Sequence, residues 1–163
     1  MGKYVIGIDA GTMGVRCVIF DLTGKQVSSD YYETPTFYPH PGWVEQRAED
    51  VIELAYKAVA GAIAKKHIDA EEIISISFTN QRTSFAPIDK DGNFIYNMIL
   101  WQDQRGAEIF PWARERLAEH GMTELDLYNR CGHPLSSLQY GSKAFWLKLK
   151  EPEVYEKTWK MDS

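Results

Sequence analysis

The stretch that decides the fold is Tyr4-Val-Ile-Gly-Ile-Asp-Ala-Gly-Thr-Met-Gly-Val-Arg-Cys-Val-Ile-Phe-Asp21. It contains two apolar runs separated by the short polar segment Asp9-Ala-Gly-Thr12. Apolar runs that flank a glycine-containing turn predict two antiparallel strands. A third strand is predicted over residues 26–33, after the turn signal Asp21-Leu-Thr-Gly24. The chain should therefore open with a three-stranded antiparallel meander.

The rest of the chain alternates between helical and strand patterns. Apolar residues at helical spacing predict an amphipathic helix from Ala48 to Lys66, after a proline-rich loop over residues 34–47. A buried strand is predicted from Ile73 to Thr79. Further short strands are predicted over residues 84–88 and 94–96, and residues 99–101 form a further short apolar segment. Helices are predicted over residues 104–119, 124–129 and 140–149. This order predicts an α/β layout with a mixed sheet.

Composition excludes several classes of protein. The 163 residues carry a net charge of −5, which argues against an extended grip on the phosphate backbone of nucleic acid. Cys17 and Cys131 have no metal-ligand spacing, and Cys17 lies in a strand pattern that predicts a buried thiol. The sequence has no signal peptide pattern and no apolar run of membrane-spanning length, so no membrane partner and a cytoplasmic location are expected.

The segment Asp9-Ala-Gly-Thr12 has the chemistry of a phosphate site. Gly11 permits a tight turn and close approach of the backbone to a ligand. Successive backbone N–H groups in such a turn form an anion-binding concavity, and the Thr12 hydroxyl adds a donor. Asp9 offers the oxygen ligands that magnesium prefers, and Arg16 offers a charge for phosphate oxygens.

Two alternatives to a phosphate site stay open from the residues alone. One is a plain hairpin turn, in which Asp9 caps local amides and Arg16 is solvated. The other is an aspartic protease, where an Asp-x-Gly-Thr unit pairs with a second such unit to share a proton. This sequence has no second copy, because Asp91-Gly92 lies in a turn signal, so the protease interpretation is disfavoured.

Taken together, the segments resemble the FGGY family of carbohydrate kinases in collinear order. After the opening stretch, the matching segments are Pro41-Gly-Trp-Val-Glu45, Thr79-Asn-Gln-Arg82, Ile95-Tyr-Asn-Met-Ile-Leu-Trp-Gln-Asp103 with Arg105, and Gly141-Ser-Lys-Ala-Phe-Trp146. The resemblance implies the actin-like ATPase fold, with two ribonuclease-H-like domains around a cleft. It also implies ATP and magnesium as cofactors and a sugar or polyol as substrate.

The resemblance implies roles for the residues around the first turn. Asp9 corresponds to the residue near magnesium and the transferring phosphate. Gly11, Thr12 and Met13 correspond to the loop that faces the nucleotide phosphates, with Arg16 close behind. Phosphoryl transfer depends mostly on positioning and charge stabilisation, so this set of groups suits the phosphate side of the reaction.

A second group is implied on the substrate side. Gln81 and Arg82 correspond to a polyol-binding strand end, where fixed donors can meet hydroxyl groups. Trp101 corresponds to an aromatic wall of the substrate pocket, whose indole face can pack against C–H groups of a sugar. Asp103 corresponds to a polar neighbour of that wall.

Two departures from the glycerol kinases bear on the substrate. Those enzymes have Glu after Asn-Gln-Arg, and this chain has Thr83. Where they place a substrate-contacting Tyr, this chain has Leu138, with Tyr140 two residues away. Losing two polar contacts weakens binding of a small triol, so a larger sugar or sugar alcohol is expected instead of glycerol.

The resemblance also implies which part of an FGGY kinase residues 1–163 correspond to. The family's catalytic base, adenine pocket and second domain lie further along the chain than residue 163. Residues 1–163 are therefore expected to be the N-terminal part of the first domain, with no catalytic base in this segment and no turnover by the piece alone. A non-catalytic binding or regulatory domain and a homo-oligomer stay open. A hexokinase-like or chaperone branch is disfavoured, because it predicts nothing like Asn80-Gln-Arg82.

Overall fold

The computed structural model describes residues 2–162 and divides into two compact units. The first unit runs to Pro35 and resumes from Gln46 to Gln81. The second unit comprises Thr36–Glu45 and the chain from Arg82 onwards. The loop predicted over residues 34–47 is thus the segment at which the chain passes from one unit to the other and back.

The elements follow one another in an α/β order. The strands are β1 (Tyr4–Ala10), β2 (Gly14–Asp21), β3 (Gln26–Glu33), β4 (Glu45–Gln46), β5 (Ile73–Asn80), β6 (Ala86–Ile88), β7 (Met98–Ile99) and β8 (Lys160–Asp162). The helices are α1 (Ala48–Ala64), α2 (Phe110–Glu119), α3 (Glu124–Cys131), α4 (Tyr140–Lys150) and α5 (Pro152–Lys157). Short 3₁₀ turns cover Ala70–Glu72 and Arg105–Ile109.

The first unit is built on a four-stranded mixed sheet with the order β3-β2-β1-β5. Strands β1, β2 and β3 pair antiparallel, while β1 and β5 pair parallel. The predicted meander and mixed sheet are both confirmed. A parallel pair needs a crossover connection, and α1 lies in the connection between β3 and β5.

The core of the first unit lies on one face of this sheet. Alternate residues in the middle of β1 and β2 are buried there, with α1 packed against them. The buried residues are Ile6, Ile8, Val15, Cys17, Ile19, Ala58, Ala62 and Ile68. Because side chains alternate along a strand, Asp9 and Arg16 lie on the opposite face. The prediction of a buried Cys17 is confirmed.

The prediction of a buried strand over residues 73–79 was wrong in its burial, although the strand exists. Strand β5 is the last in the sheet order, and most of its length is exposed. Ile74 is 56% exposed, Ile76 51% and Phe78 73%. An apolar run predicts a strand, but whether neighbours cover that strand depends on its place in the sheet.

The second unit packs helices around a separate core. Strands β6 and β8 pair antiparallel, and the buried apolar residues are Phe85, Ile99, Ile109, Trp146 and Leu147. The helices predicted over residues 124–129 and 140–149 are present as α3 and α4, and α3 begins with a capping box between Thr123 and Asp126.

Other local predictions for the second unit differ from the structure. The helix predicted from residue 104 begins as a 3₁₀ turn, and α2 starts at Phe110 with Pro111 in its first turn. The strand predicted over residues 94–96 is reduced to one bridge between Ile88 and Phe94. A further helix, α5, begins at Pro152 directly after the end of α4. Trp159 is 55% exposed.

Across residues 2–162, the helices are all too short or too polar to cross a membrane.

Candidate functional site

The turn between β1 and β2, residues 9–14, is anchored through its backbone. The Gly11 N–H donates to the Gly14 carbonyl at 3.0 Å. The Met13 carbonyl accepts from the Thr34 N–H at 3.1 Å and from the Tyr31 hydroxyl at 3.2 Å. The Met13 side chain itself is 78% exposed. The turn is therefore fixed by its own unit while its tip remains accessible.

Three side chains close a ring of hydrogen bonds behind this turn. The Gln46 amide nitrogen donates to the Thr12 carbonyl at 2.7 Å. The Thr12 hydroxyl donates to Gln81 Oε1 at 3.2 Å, and Gln81 Nε2 donates to Gln46 Oε1 at 3.2 Å. The Gln81 backbone N–H also donates to the Ala10 carbonyl at 3.0 Å. The ring joins the turn between β1 and β2 to the end of β5.

Gln46 is the residue of this ring that sequence patterns did not indicate. Its side chain is fully buried, although glutamine is usually exposed. Its position directly after Pro41-Gly-Trp-Val-Glu45 was the available signal. That signal is weak, because nothing local to Gln46 identifies partners 34 and 35 residues away.

Asp9 and Arg16 lie opposite each other on β1 and β2, close to the turn that joins these strands. Asp9 on β1 pairs with Arg16 on β2 and with Thr79 on β5 in the strand register. Both charged side chains are exposed and line a shallow depression of about 220 Å³, together with Phe78. The Arg16 guanidinium lies 5.1 Å from the ring centre of Tyr31, and both charged side chains are accessible to a ligand.

Asp9 can hold magnesium only as one ligand among several. Among residues 2–162 there is no group of three His, Cys, Asp or Glu side chains that could enclose a metal. Magnesium is usually held by one or two carboxylates together with water and substrate phosphates. A single exposed carboxylate beside the turn predicted to bind phosphate fits that pattern.

Gly11 and Gly14 in this turn differ in the space that their neighbours leave for a side chain. A Cβ at Gly14 would overlap the Tyr32 carbonyl oxygen and lie 2.6 Å from Tyr31 Cζ. A Cβ at Gly11 would meet nothing nearer than the Gly14 carbonyl oxygen at 3.5 Å, which is ordinary contact. Packing within the chain thus demands glycine at position 14 and leaves space at position 11. The sequence motif had indicated Gly11 and not Gly14.

The residues predicted on the substrate side are divided between the units. Gln81 lies in the first unit with Thr12, whereas Arg82, Trp101 and Asp103 lie in the second. The Arg82 side chain is exposed. Thr83, next to it, has a φ of +61°, a left-handed conformation that is strained for a β-branched residue.

Trp101 is held by its backbone and presents its ring to solvent. Its N–H donates to the Ser84 hydroxyl at 2.9 Å, and its carbonyl accepts from Lys143 Nζ at 3.2 Å. The side chain is 39% exposed, although its neighbour Leu100 is fully buried. An indole face held in this way can pack against a ligand.

Asp103 is fully buried, and both of its carboxylate oxygens have partners within the chain. Oδ1 accepts from the backbone N–H and Nε of Arg105, at 2.8 and 2.9 Å. Oδ2 accepts from an Arg105 terminal nitrogen at 2.8 Å and from the Val44 N–H at 2.6 Å. Contact of Asp103 with a substrate stays a prediction, while its observed partners are Arg105 and Val44.

Arg105 is the centre of a buried charge cluster that sequence reasoning did not assign. Its guanidinium donates to Glu45 at 2.7 Å and lies 3.8 Å from the ring centre of Trp43 and 5.1 Å from that of Trp146. Burial alone lowers the pKa of the Arg105 guanidinium, but Asp103 and Glu45 outweigh it and raise that pKa above its ordinary value. The cation is thus permanently charged and structurally enclosed.

Tyr140 is already engaged within the second unit. Its hydroxyl donates to the Met161 carbonyl at 3.1 Å, and its ring packs on Phe85 with centroids 4.6 Å apart. Leu138 is 46% exposed. The Tyr140 hydroxyl proton thus already has an acceptor within the second unit.

Comparison with known proteins decides the family. The pattern described as "FGGY family of carbohydrate kinases, N-terminal domain" matches residues 4–161. The chain belongs to the FGGY family. Curated relatives include a glycerol kinase of Chloroflexus aggregans, 34% identical over 157 residues, which are 96% of this chain and 30% of that protein.

Solved structures of FGGY kinases give the same result at the level of the fold. A ligand-bound xylulose kinase and a gluconate kinase, both from Lactobacillus acidophilus, each match with a TM-score of 0.84 and 27% identity. Each match covers 98% of this chain and 31% of the other. The fold is the actin-like ATPase fold, as predicted, and the chain spans about 30% of the length of its FGGY relatives.

The two glycines of the turn provide a matched test of packing. Gly14→Ala should destabilise the first unit by about 1–3 kcal/mol, because the added methyl group overlaps backbone and ring atoms. Gly11→Ala should leave stability within about 0.5 kcal/mol of the original. Urea unfolding followed by far-UV circular dichroism measures both. Equal stability of the two variants would contradict the packing at Gly14.

Lys143 provides a test of buried charge. Burial, assisted by the charge of Arg105 and opposed by that of Asp103, lowers the pKa of Lys143 from 10.5 to about 8. Between these values the unfolded chain binds a proton that the folded chain lacks, so stability rises with pH through this window. Relative to Lys143→Met, the original chain should gain about 2 kcal/mol between pH 7 and 9.5.

Tryptophan fluorescence is the suitable probe for this comparison, because all five tryptophans lie in the second unit. The control is Lys150→Met, at an exposed position on the same helix, which should show the pH response of the original chain. An identical pH response in all three proteins would show that Lys143 is charged throughout this range.

Proposed function

We propose that this chain is the N-terminal part of the first domain of an ATP-dependent kinase that phosphorylates a hydroxyl group of a sugar or polyol. The observation that carries the proposal is that the exposed residues Asp9 and Arg16 lie opposite each other in the strand register. They lie beside a turn that is held by hydrogen bonds from Gln46. Membership of the FGGY family supplies the reaction class. The chain spans about 30% of the length of the relatives it matches, and the activity is proposed for the protein of which it would be a part.

On the nucleotide side, each proposed residue has a distinct task. Gly11 has no side chain beside the turn, which suits close approach of a phosphate group, and a Cβ there would make only ordinary contacts within the chain. Thr12 and Met13 place the backbone of the turn, and Arg16 supplies a positive charge for phosphate oxygens. Asp9 is the proposed magnesium ligand, and the ion when bound would neutralise charge on the transferring phosphate.

On the substrate side, Arg82 and Trp101 are the proposed direct contacts. Both side chains are accessible, as donors to hydroxyl groups and as an apolar wall respectively. Gln81 is proposed to contribute while bonded to Thr12, which would connect the substrate side to the phosphate side. Asp103 is proposed to act through Arg105 and Val44, since its oxygens are engaged with them.

The proposed substrate is larger than glycerol. Thr83 offers a neutral hydroxyl where glycerol kinases have a carboxylate, and the Tyr140 hydroxyl is bonded to Met161. The curated relatives include glycerol kinases, while the solved structures include kinases of xylulose and gluconate. The missing polar contacts favour the second group of substrates. A cytoplasmic location and a homo-oligomeric state stay predictions.

The exposed apolar side chains of β5 support the proposal that a longer protein surrounds this chain. Ile74, Ile76 and Phe78 stand on the last strand of the sheet, where a further strand or helix would cover them. The proposed catalytic base lies outside residues 1–163. The isolated chain is therefore expected to bind ATP and magnesium weakly, which calorimetric titration can measure.

The proposed activity is tested in the longer protein with a panel of polyols, aldoses, ketoses and sugar acids. At least one compound should stimulate ATP consumption, and Asp9→Ala should lower kcat at least about a hundredfold while the protein stays folded. The control is Asp91→Ala, at an exposed turn position of the second unit. Absence of stimulation across the panel, or full activity of Asp9→Ala, would refute the proposal.

Substrate class is tested at position 83. Thr83→Glu should raise kcat/KM for glycerol by about tenfold or more, because a carboxylate forms charge-assisted hydrogen bonds with hydroxyl groups. Thr83→Gln is the matched control, because glutamine has the size of glutamate without its charge. It should change kcat/KM for glycerol less than Thr83→Glu does. If the original protein uses glycerol as well as any sugar, the assignment to a larger substrate is wrong.

A further inference from the structure

The segment Gly141-Ser-Lys-Ala-Phe-Trp146 has no part in the proposed chemistry, yet the structure packs it tightly in the second unit. It forms the first two turns of α4, and the Ser142 hydroxyl lies 2.8 Å from the Ser136 and Gln139 carbonyl oxygens. A Cβ at Gly106 would come within 2.6 Å of Ser142 Oγ, so the 3₁₀ turn and α4 are in close contact. The start of α4 is thus fixed against the segment that follows Trp101.

Lys143 is the unusual residue of this segment, because its side chain is fully buried. Lysine is almost never fully buried unless it has partners. Its ammonium donates to the Leu100 carbonyl at 3.0 Å and to the Trp101 carbonyl at 3.2 Å. These partners are 43 and 42 residues earlier in the chain.

A methionine would fill a similar volume without the cost of burying an ammonium group. What a lysine adds is donors aimed at two successive carbonyls, on either side of the residue Trp101. The other end of the same residue is held by Ser84, whose hydroxyl accepts from the Trp101 N–H at 2.9 Å. Trp101 is therefore held at both its N–H and its carbonyl.

Nearby carboxylates offset part of the cost of burying this cation. Asp103 and Glu45 carry two negative charges beside Arg105. The charge of Asp103 favours the protonated form of Lys143, although burial, assisted by the charge of Arg105, outweighs it and lowers the pKa of Lys143 to about 8. The four buried groups together have two positive and two negative charges when all are ionised. A buried cation is thus part of a balanced cluster directly behind Trp101.

We propose that Lys143 is a positioning residue for the substrate, which fixes the backbone at Leu100 and Trp101 and so sets the indole face that meets the sugar. This inference rests on the proposed function of Trp101. It assigns the role to the ammonium donors, and it predicts that their loss affects sugar binding more than turnover.

The kinetic test uses the longer protein and the compound of the panel that stimulates turnover most. Lys143→Met should raise KM for that compound about tenfold, with kcat and KM for ATP changed less than about twofold, because only a substrate contact is displaced. Lys143→Gln retains an amide group that can donate, so its KM for the compound should lie between those of Lys143→Met and the original protein. Lys150→Met, on the exposed surface of the same helix, should leave all three constants unchanged.

Trp101→Ala separates this inference from the proposed function. If Trp101→Ala raises KM for the sugar and Lys143→Met does not, Lys143 is not a positioning residue while the proposed function stands. If Trp101→Ala has no effect, the proposed role of Trp101 fails. An equal fall of kcat with every substrate in Lys143→Met would also overturn the inference, because it indicates general damage.

Amide hydrogen exchange gives a readout that needs no activity. In Lys143→Met the amides of residues 100–103 should exchange at least about tenfold faster, while amides of β6 and of the middle of α4 keep their original rates. Unchanged exchange at residues 100–103, or faster exchange throughout the second unit, would show that the ammonium does not specifically hold this segment.

Discussion

A buried guanidinium needs compensation, and in the second unit this need organises most of the surrounding structure. Arg105 is 1% exposed, and its donors are met by Asp103 and Glu45 while its faces lie against Trp43 and Trp146. Removing one partner of such a buried pair typically costs about 3–5 kcal/mol, because the remaining charge is left uncompensated. The cluster therefore joins three segments distant in sequence: residues 43–45, residues 103–105 and the helix α4.

The charge cluster around Arg105 also gives Asp103 and Trp101, two residues apart in sequence, different environments. Asp103 points into the cluster and is fully buried, whereas Trp101 keeps 39% of its side chain exposed. Lys143 and Ser84 hold the Trp101 backbone between these two environments. A rigid support directly behind an accessible aromatic ring is what a binding surface requires, since a loosely held indole loses more conformational entropy on binding.

In the first unit the organising feature is an alternation of side chains across a sheet. Ile8 faces the core and Asp9 faces the open side, because successive residues of a strand point in opposite directions. The turn after Asp9 is then fixed by amide groups, with Gln46 bonded to both Thr12 and Gln81. Neutral hydrogen bonds hold this turn, and charged side chains are kept for the exposed face.

Much of the first unit followed from sequence because its signals are local. Apolar periodicity and turn residues predicted the meander and α1, and the collinear order of the motifs was enough to indicate the FGGY family. The burial of β5 was predicted wrongly, because an apolar strand has the same pattern in the middle and at the edge of a sheet. The sequence patterns also did not predict α5, which begins at Pro152, a residue that suits the first turn of a helix.

The sequence was thus sufficient for the strands and the long helix of the first unit, for the resemblance to the family and for the candidate residues Asp9, Thr12 and Trp101. Only the tertiary structure decided which polar residues support them. Gln46 meets Thr12 across 34 residues, and Lys143 meets Leu100 across 43. The physical reason is that periodicity and turn chemistry act between near neighbours, whereas a buried polar group finds its partners wherever the fold brings them.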